Sequence, residues 1–263
     1  MTDFHAPLRS AVKARRRGRP LVLFLDYDGT LVEIAPRPEL ARPSPELLEL
    51  LSRLTAQVDL KVMVVSGRPL RHLQALLPVP GLDFLGSHGG EAFIGGRPYP
   101  MPVATVNHKE LSRWRSRLAE LLQPFQGWWI EDKPLGFALH YRQVSAYHLA
   151  LIMVVLRRWR EQLQQERGFQ VLAGKKVLEI LPLSVSKGAA IQDILLLPGF
   201  LGFFPIYLGD DITDESAFLL LQGRGLTIRV GGSRNRTAAS HYLPDTKAVR
   251  HFLALLAVPP EDL

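Results

Sequence analysis

Three short, strongly apolar runs restrict the architectures open to this chain, because each stops abruptly at a cluster of small or charged groups. Leu21–Asp26 leads into Tyr27-Asp28-Gly29-Thr30, Leu60–Val65 into Ser66-Gly67-Arg68, and residues 206–208 into Gly209-Asp210-Asp211. A strand that is apolar at nearly every position, rather than at alternate ones, must be covered on both faces, which is the pattern of a buried parallel strand. Helical patterns separate these runs. Ser44 can cap a helix through residue 55, with Pro45 at its first position and Leu47, Leu48, Leu51 and Leu54 on one face. Pro69 opens the next helix, and a third strand is predicted over residues 82–86.

From about residue 91 the grammar changes. Residues 92–94 and Arg97–Tyr99 flank Gly95-Gly96, a two-residue hairpin turn. A helix over 109–122, strands over 128–131 and 137–142, a helix over Ala146–Gln165, and strands over 170–172 and 177–181 follow. Helix–strand–strand, twice over, predicts an inserted α+β module. The alternating grammar then resumes with a helix over 186–196, the strand 206–208, a helix over 213–221, a strand over Leu226–Val230 and a helix over Thr246–Leu256. The expected fold is α/β: a Rossmann-like parallel-sheet core domain from residues 20–100 and 183–263, carrying an inserted α+β cap domain at 101–182, with functional groups at the carboxyl ends of the core strands.

The net charge of +7 is concentrated rather than spread. Arg9, Lys13, Arg15, Arg16, Arg17 and Arg19 lie in the first twenty positions against the single acid Asp3, and the remainder is close to neutral. Residues 1–19 are therefore read as a solvated, poorly ordered basic arm. Nucleic acid is not an expected partner, because no aromatics interleave with the arginines. The most apolar stretches, 149–156 and 194–208, are too short or too broken by proline and glycine to span a membrane, and no secretory signal opens the chain. The absence of cysteine excludes disulfides and thiolate chemistry and is compatible with a cytoplasmic location.

Four clusters carry the chemistry. In Asp26-Tyr27-Asp28-Gly29-Thr30, residues two apart at a strand end project to one side, so one carboxylate can attack phosphorus while the other moves a proton. Ser66-Gly67 can hold a phosphate oxygen through a hydroxyl and a backbone N–H. Lys187, opening a helix, can neutralise phosphate. Gly209-Asp210-Asp211-Ile212-Thr213-Asp214-Glu215 supplies adjacent carboxylates that suit a hard, six-coordinate cation. Each has a plainer reading as a turn, a helix cap or a solvated charge.

The order of the four is what is specific. D-x-D-G-T, then S-G-R, then a helix-opening lysine, then G-D-D-x-x-D resembles the haloacid dehalogenase-like phosphatase superfamily. The resemblance implies Asp26 as nucleophile, Asp28 as general acid and base, and Ser66, Gly67 and Lys187 as phosphate ligands. It implies magnesium held by Asp26, the backbone carbonyl of Asp28, and Asp210, with Asp211 and Asp214 in support.

Asp28-Gly29-Thr30-Leu31 with Glu33 and Pro36, Gly86-Ser87-His88-Gly89, His140-Tyr141-Arg142, residues 174–179 and residues 208–215 together resemble the trehalose-6-phosphate phosphatase family. That likeness implies trehalose 6-phosphate as substrate, sugar recognition by Glu131, Lys133, Arg142, Lys175 and Glu179, and a supporting loop at His88. It also points to a trehalose-6-phosphate synthase as the candidate protein partner. Leu181 stands where the family often has a basic residue, which keeps sucrose 6-phosphate and mannosyl-3-phosphoglycerate in view as alternative substrates. The alternative from another class is a catalytically silent regulatory partner of a trehalose synthase complex.

Overall fold

Every side chain of strand β1 (Leu21–Asp26) is buried. Leu21, Leu23 and Leu25 enter one apolar cluster, and Val22 and Phe24 enter a second on the opposite face. At roughly 1.5–3 kcal/mol for each fully buried large apolar side chain, this strand binds both layers together. The structure, a computed structural model, describes residues 6–102, 107–166, 168–174, 176–231 and 237–258. It divides into two compact units, Met1–Met101 with Ser186–Leu263, and Pro102–Val185.

In the first unit an eight-stranded sheet runs β12 (His241–Leu243), β11 (Leu226–Val230), β10 (Phe204–Gly209), β1, β2 (Leu60–Val65), β3 (Asp83–Gly86), β4 (Glu91–Ile94), β5 (Arg97–Tyr99). Pairing is parallel from β12 to β3 and antiparallel for β4 and β5. Strand order therefore reverses direction at the β1–β10 pair. Connections leave toward opposite faces at such a point and open a crevice at the carboxyl ends of the two strands. Helices α1 (Ala6–Arg16), α2 (Pro45–Thr55), α3 (Leu70–Leu76) and α8 (Thr246–Leu256) pack on one face, and α6 (Lys187–Leu195) and α7 (Glu215–Leu221) on the other.

Local signals account for most boundaries. Ser44 Oγ accepts the Leu47 N–H at 3.3 Å to start α2, and Ser186 Oγ accepts the Ala189 N–H at 3.1 Å to start α6. On α2 the buried side chains are Leu47, Leu50, Leu51 and Leu54, so Leu50 takes the core position expected for Leu48. The hairpin around Gly95-Gly96 extends the core sheet as its antiparallel edge. The short β12 has too few residues to show a period and was missed.

The basic segment is not the solvated arm that its composition suggested. Residues 6–16 form α1, with Ala11 and Ala14 buried in the first cluster. The buried Arg15 guanidinium donates through Nε and Nη2 to Asp59 at 2.8 and 2.7 Å and through Nη1 to the Leu256 carbonyl at 3.0 Å. Its charge is matched and its donors are used, so burial carries little penalty.

The second unit pairs its strands antiparallel in the order β6 (Trp129–Lys133), β7 (Gly136–His140), β9 (Val177–Pro182), β8 (Phe169–Gly174). Helices α4 (His108–Leu122) and α5 (Ala146–Gln165) cover one face, where Phe137, Leu139, Leu178 and Ile180 meet Trp114 and Trp159. The two tryptophan rings pack edge to face at 5.9 Å. Alternation sends Trp129, Glu131, Lys133, Ala138, His140 and Glu179 to the other face. Among the described residues, no helix is long and apolar enough to cross a membrane.

Candidate active site

Asp26 closes β1 and Lys187 opens α6, and the crevice at the strand reversal brings them together. Lys187 Nζ donates to Asp26 Oδ1 at 2.6 Å and to Asp214 Oδ1 at 2.7 Å, with the lysine and Asp214 both buried. Asp214 also accepts the Tyr207 hydroxyl at 2.6 Å and the Asp211 N–H at 2.8 Å. Burial by itself would lower the Lys187 pKa, but Asp214 and Asp26 outweigh it and hold the ammonium charged. Burial pushes the Asp26 carboxyl well above the ordinary carboxylate range, against the pull of Lys187, and Asp214 and Asp210 push the same way.

Asp210 follows β10 and completes a group of three. Oxygens of Asp26, Asp210 and Asp214 lie within 4.8 Å of one another. Gly29, at φ +86°, permits this approach: a methyl group there would overlap the Asp210 carboxylate. Asp210 Oδ1 is buried without a hydrogen-bond partner. Burial, then Asp214 and Asp211, drive the Asp210 pKa up to about 7, although Lys187 and Arg229 draw it down. Three carboxylates against one lysine, one of them with an orphaned oxygen, fit a divalent cation, and an all-oxygen donor set suits a hard one. Asp214, expected to support the site, lies beside Asp26 and Asp210 with both of its oxygens engaged by Lys187, Tyr207 and the Asp211 N–H. Asp211 is exposed and caps the following turn, its Oδ1 accepting the Ile212 N–H at 2.7 Å.

A stability prediction follows from Asp210. Its folded pKa of about 7 lies above an unfolded value near 4. The folded state therefore binds the extra proton between these limits, and stability falls as pH rises through that window. Asp210→Asn is expected to stabilise the cation-free protein at pH 8 by on the order of 1–3 kcal/mol, and to flatten that fall. Urea denaturation in chelator at pH 5 and 8 measures both effects. An Asn variant equally or more pH-sensitive contradicts this reading. The same substitution should also diminish any rise in Tm on adding magnesium.

Asp28 is held by an arginine from the second strand's end. Its carboxylate receives a two-pronged contact from Arg68, Nε at 2.6 Å and Nη2 at 2.7 Å, and Arg68 also donates to the Pro38 carbonyl at 2.9 Å. The guanidinium lies 5.0 Å from the centre of the Tyr27 ring. The Ser66-Gly67-Arg68 motif does not announce this pair, because its two members stand forty positions apart. Ser66 is buried, and its Oγ accepts the Arg68 N–H at 3.2 Å. His88 packs over Gly67 so closely that a Cβ there would lie 2.5 Å from Nε2. The His88 N–H donates to the Ser66 carbonyl at 3.0 Å and the Ser87 N–H to the Arg68 carbonyl at 2.9 Å. Ser87 and His88 hold φ of 50° and 57°, a left-handed conformation uncommon for such residues, while the Ser87 hydroxyl is tied to Glu91. The strained turn clamps the 66–68 loop. Glu215, by contrast, is committed to Arg229, the Thr237 hydroxyl and the Ala238 N–H.

On the second unit, the register sets Glu131, Ala138 and Glu179 side by side across three strands. Lys133 Nζ donates to Glu179 Oε1 at 2.6 Å, and His140 Nε2 lies 2.9 Å from Glu131 Oε2. His140 is the chief cause of a Glu131 pKa below the usual carboxylate value. Trp129 stacks on His140 at 3.9 Å with the rings nearly parallel. Strand β7 ends at His140, so Arg142 is an exposed turn residue beyond it rather than the end of the strand. Lys175 lies outside the described residues. Trp129 and His140 were not proposed as site residues, because one reads as a strand aromatic and the other as part of a motif.

The fold is shared with a haloacid dehalogenase-like hydrolase from Bacteroides thetaiotaomicron, with a TM-score of 0.63 at 16% identity and coverage of 90% and 99%. The pattern of the family described as trehalose-phosphatase matches residues 24–246. The trehalose-phosphate phosphatase of Mycobacterium tuberculosis is 33% identical over 248 residues, covering 91% of this chain and 62% of that relative. An uncharacterized glycosyl hydrolase of the same organism is 36% identical over 259 residues, covering 94% of this chain and 19% of the relative. The chain thus spans less than two thirds of the length of either. The C-terminal domain of Candida albicans trehalose-6-phosphate phosphatase has the same fold, with a TM-score of 0.81 at 24% identity and coverage of 95% and 96%. The chain belongs to the trehalose-phosphatase family.

Proposed function

We propose that this chain is a magnesium-dependent phosphatase that hydrolyses trehalose 6-phosphate to trehalose and phosphate through an aspartyl-phosphate. One observation carries the reading: Lys187 bridges Asp26 and Asp214 in a buried crevice where Asp210 keeps an oxygen without a partner. The excess negative charge there favours a divalent cation, which with Lys187 lets an anionic phosphate approach Asp26. Asp26, Asp210, Asp214 and the backbone carbonyl of Asp28 are the groups proposed to hold magnesium. When bound, the ion supplies positive charge to the phosphate oxygens.

The chain's own residues do the rest. Lys187 keeps its charge and orients one oxygen of Asp26, leaving the other to form the bond to phosphorus as the sugar oxygen departs in line. Asp28 gives a proton to that oxygen, then takes one from the water that cleaves the acyl phosphate. To do so it leaves the Arg68 pair and takes up a proton from solvent before the sugar oxygen departs. Ser66 and the Gly67 N–H are proposed to bind the phosphoryl oxygens. Glu131, Lys133, Arg142, Lys175 and Glu179 are proposed to recognise sugar hydroxyls, which paired charges on a sheet face can bind in numbers.

Phosphate release from a panel of sugar phosphates, with and without magnesium, tests this. The expected result is cation-dependent turnover that is highest on trehalose 6-phosphate. Preference for sucrose 6-phosphate or mannosyl-3-phosphoglycerate would reassign the substrate, and silence on every ester would remove the enzyme reading. Glu179→Ala should lower kcat/KM for trehalose 6-phosphate by roughly 10–100-fold while changing turnover of a small aryl phosphate less than threefold. Equal losses on both substrates would take Glu179 out of sugar recognition.

A further inference from the structure

Helix α5 is apolar nearly all the way round through its first eleven residues. Its inner face, Ile152, Leu156, Trp159 and Leu163, is buried. The opposite face of a surface helix normally carries charge. Here Tyr147 is 78% exposed, Leu151 49% and Val154 54%, and exposed Arg158 follows them. These four stand at i, i+4, i+7 and i+11, which is the spacing of a helix-pairing seam. With Met153, 48% exposed at its margin, the apolar part amounts to an area on the order of 500 Å².

We propose that this seam pairs with the α5 seam of a second copy of the chain, antiparallel and about a two-fold axis. The stripe is complementary to its own reverse. Centred between residues 152 and 153, antiparallel pairing sets Leu151 of one copy against Val154 of the other. It sets Tyr147 against Arg158, an aromatic face against a guanidinium. Parallel pairing would instead oppose Arg158 to Arg158, which like charge disfavours. The two seams together would cover about 1,000 Å², the lower end of specific interfaces, so the dimer should dissociate in the micromolar range. Helices α4 and α5 lie on the covered face of their sheet, so pairing leaves the face with Glu131, Lys133 and Glu179 open. The inference is independent of the substrate.

Sedimentation of the full chain from roughly 1 to 300 µM tests it. A concentration-dependent dimer is expected, and Leu151→Asp should raise its Kd at least about tenfold. Tyr147→Glu should preserve the dimer by pairing with Arg158, whereas Tyr147→Lys should dissociate it. Unchanged circular dichroism and Tm in all three variants exclude misfolding, since the positions are exposed. A chain that stays monomeric throughout, or a dimer indifferent to Leu151→Asp, overturns the proposal. Equal weakening by Glu and Lys at position 147 overturns the antiparallel register. Binding of a monomeric chain to phosphatidylglycerol vesicles, lost in Leu151→Asp, would assign the seam to a lipid surface instead.

Discussion

Asp26→Asn is expected to abolish phosphate release from trehalose 6-phosphate, by about a thousandfold or more, while leaving the fold at least as stable as before. The amide has almost the same shape, so the packing at the end of β1 is retained, and its carbonyl oxygen can still accept from Lys187. What is lost is the negative charge and nucleophilicity of the carboxylate. Stability should hold because Asp26 is buried among two other carboxylates that share a single lysine. Burial raises its folded pKa, so the charged form costs stability at neutral and higher pH, and a neutral amide removes that cost. Phosphate release and thermal unfolding at pH 8 check the two halves separately. Turnover within about tenfold of the parent would exclude Asp26 as nucleophile; an intact rate with a lower Tm would make it a structural acid.

Much of this site is written locally. An apolar strand ending in acid is legible because the strand needs no carboxylate for its own stability, so Asp26 and Asp210 stand out against their neighbours. The helix-opening position of Lys187 is legible from Ser186, a good cap. What escapes sequence reading are choices made by partners distant along the chain. Arg68 and Asp28 are forty positions apart, and nothing in either neighbourhood announces the pair. Arg15 looks like one more solvated cation until Asp59 and the end of α8 close around it. Asp214 presents the most instructive case. Three residues after Asp211 it reads as helix-end charge compensation, and it does accept the Asp211 N–H. Its other oxygen serves Lys187 and Tyr207, a role set by the meeting of β10 with α6. Arg142 shows a boundary misread rather than a partner missed, since the strand expected to reach it stops two residues earlier, at His140.

The second large effect should come from Lys187→Met. Methionine fills a similar volume with no charge, leaving Asp26 and Asp214 buried and unmatched. Removing one member of a buried ion pair costs about 3–5 kcal/mol, so the variant should be strongly destabilised at pH 8 as well as inactive. The loss should shrink on acidification. Burial already raises the Asp26 pKa above its ordinary value and Lys187 draws it down, so without the ammonium the folded state takes up that proton more readily and stability rises as pH falls. Denaturation at pH 8 and pH 5 measures the difference. The decisive comparison is the double variant Lys187→Met with Asp214→Asn. If Lys187 acts on stability by matching charge, removing one excess charge should restore a substantial part of the loss at pH 8, a positive coupling between the two sites. Activity should not return, because the Lys187 ammonium that orients Asp26 and meets the phosphate is gone. A double variant as unstable as the single one would show instead that Lys187 supports the site by packing, and its part in phosphate binding would have to rest on other grounds.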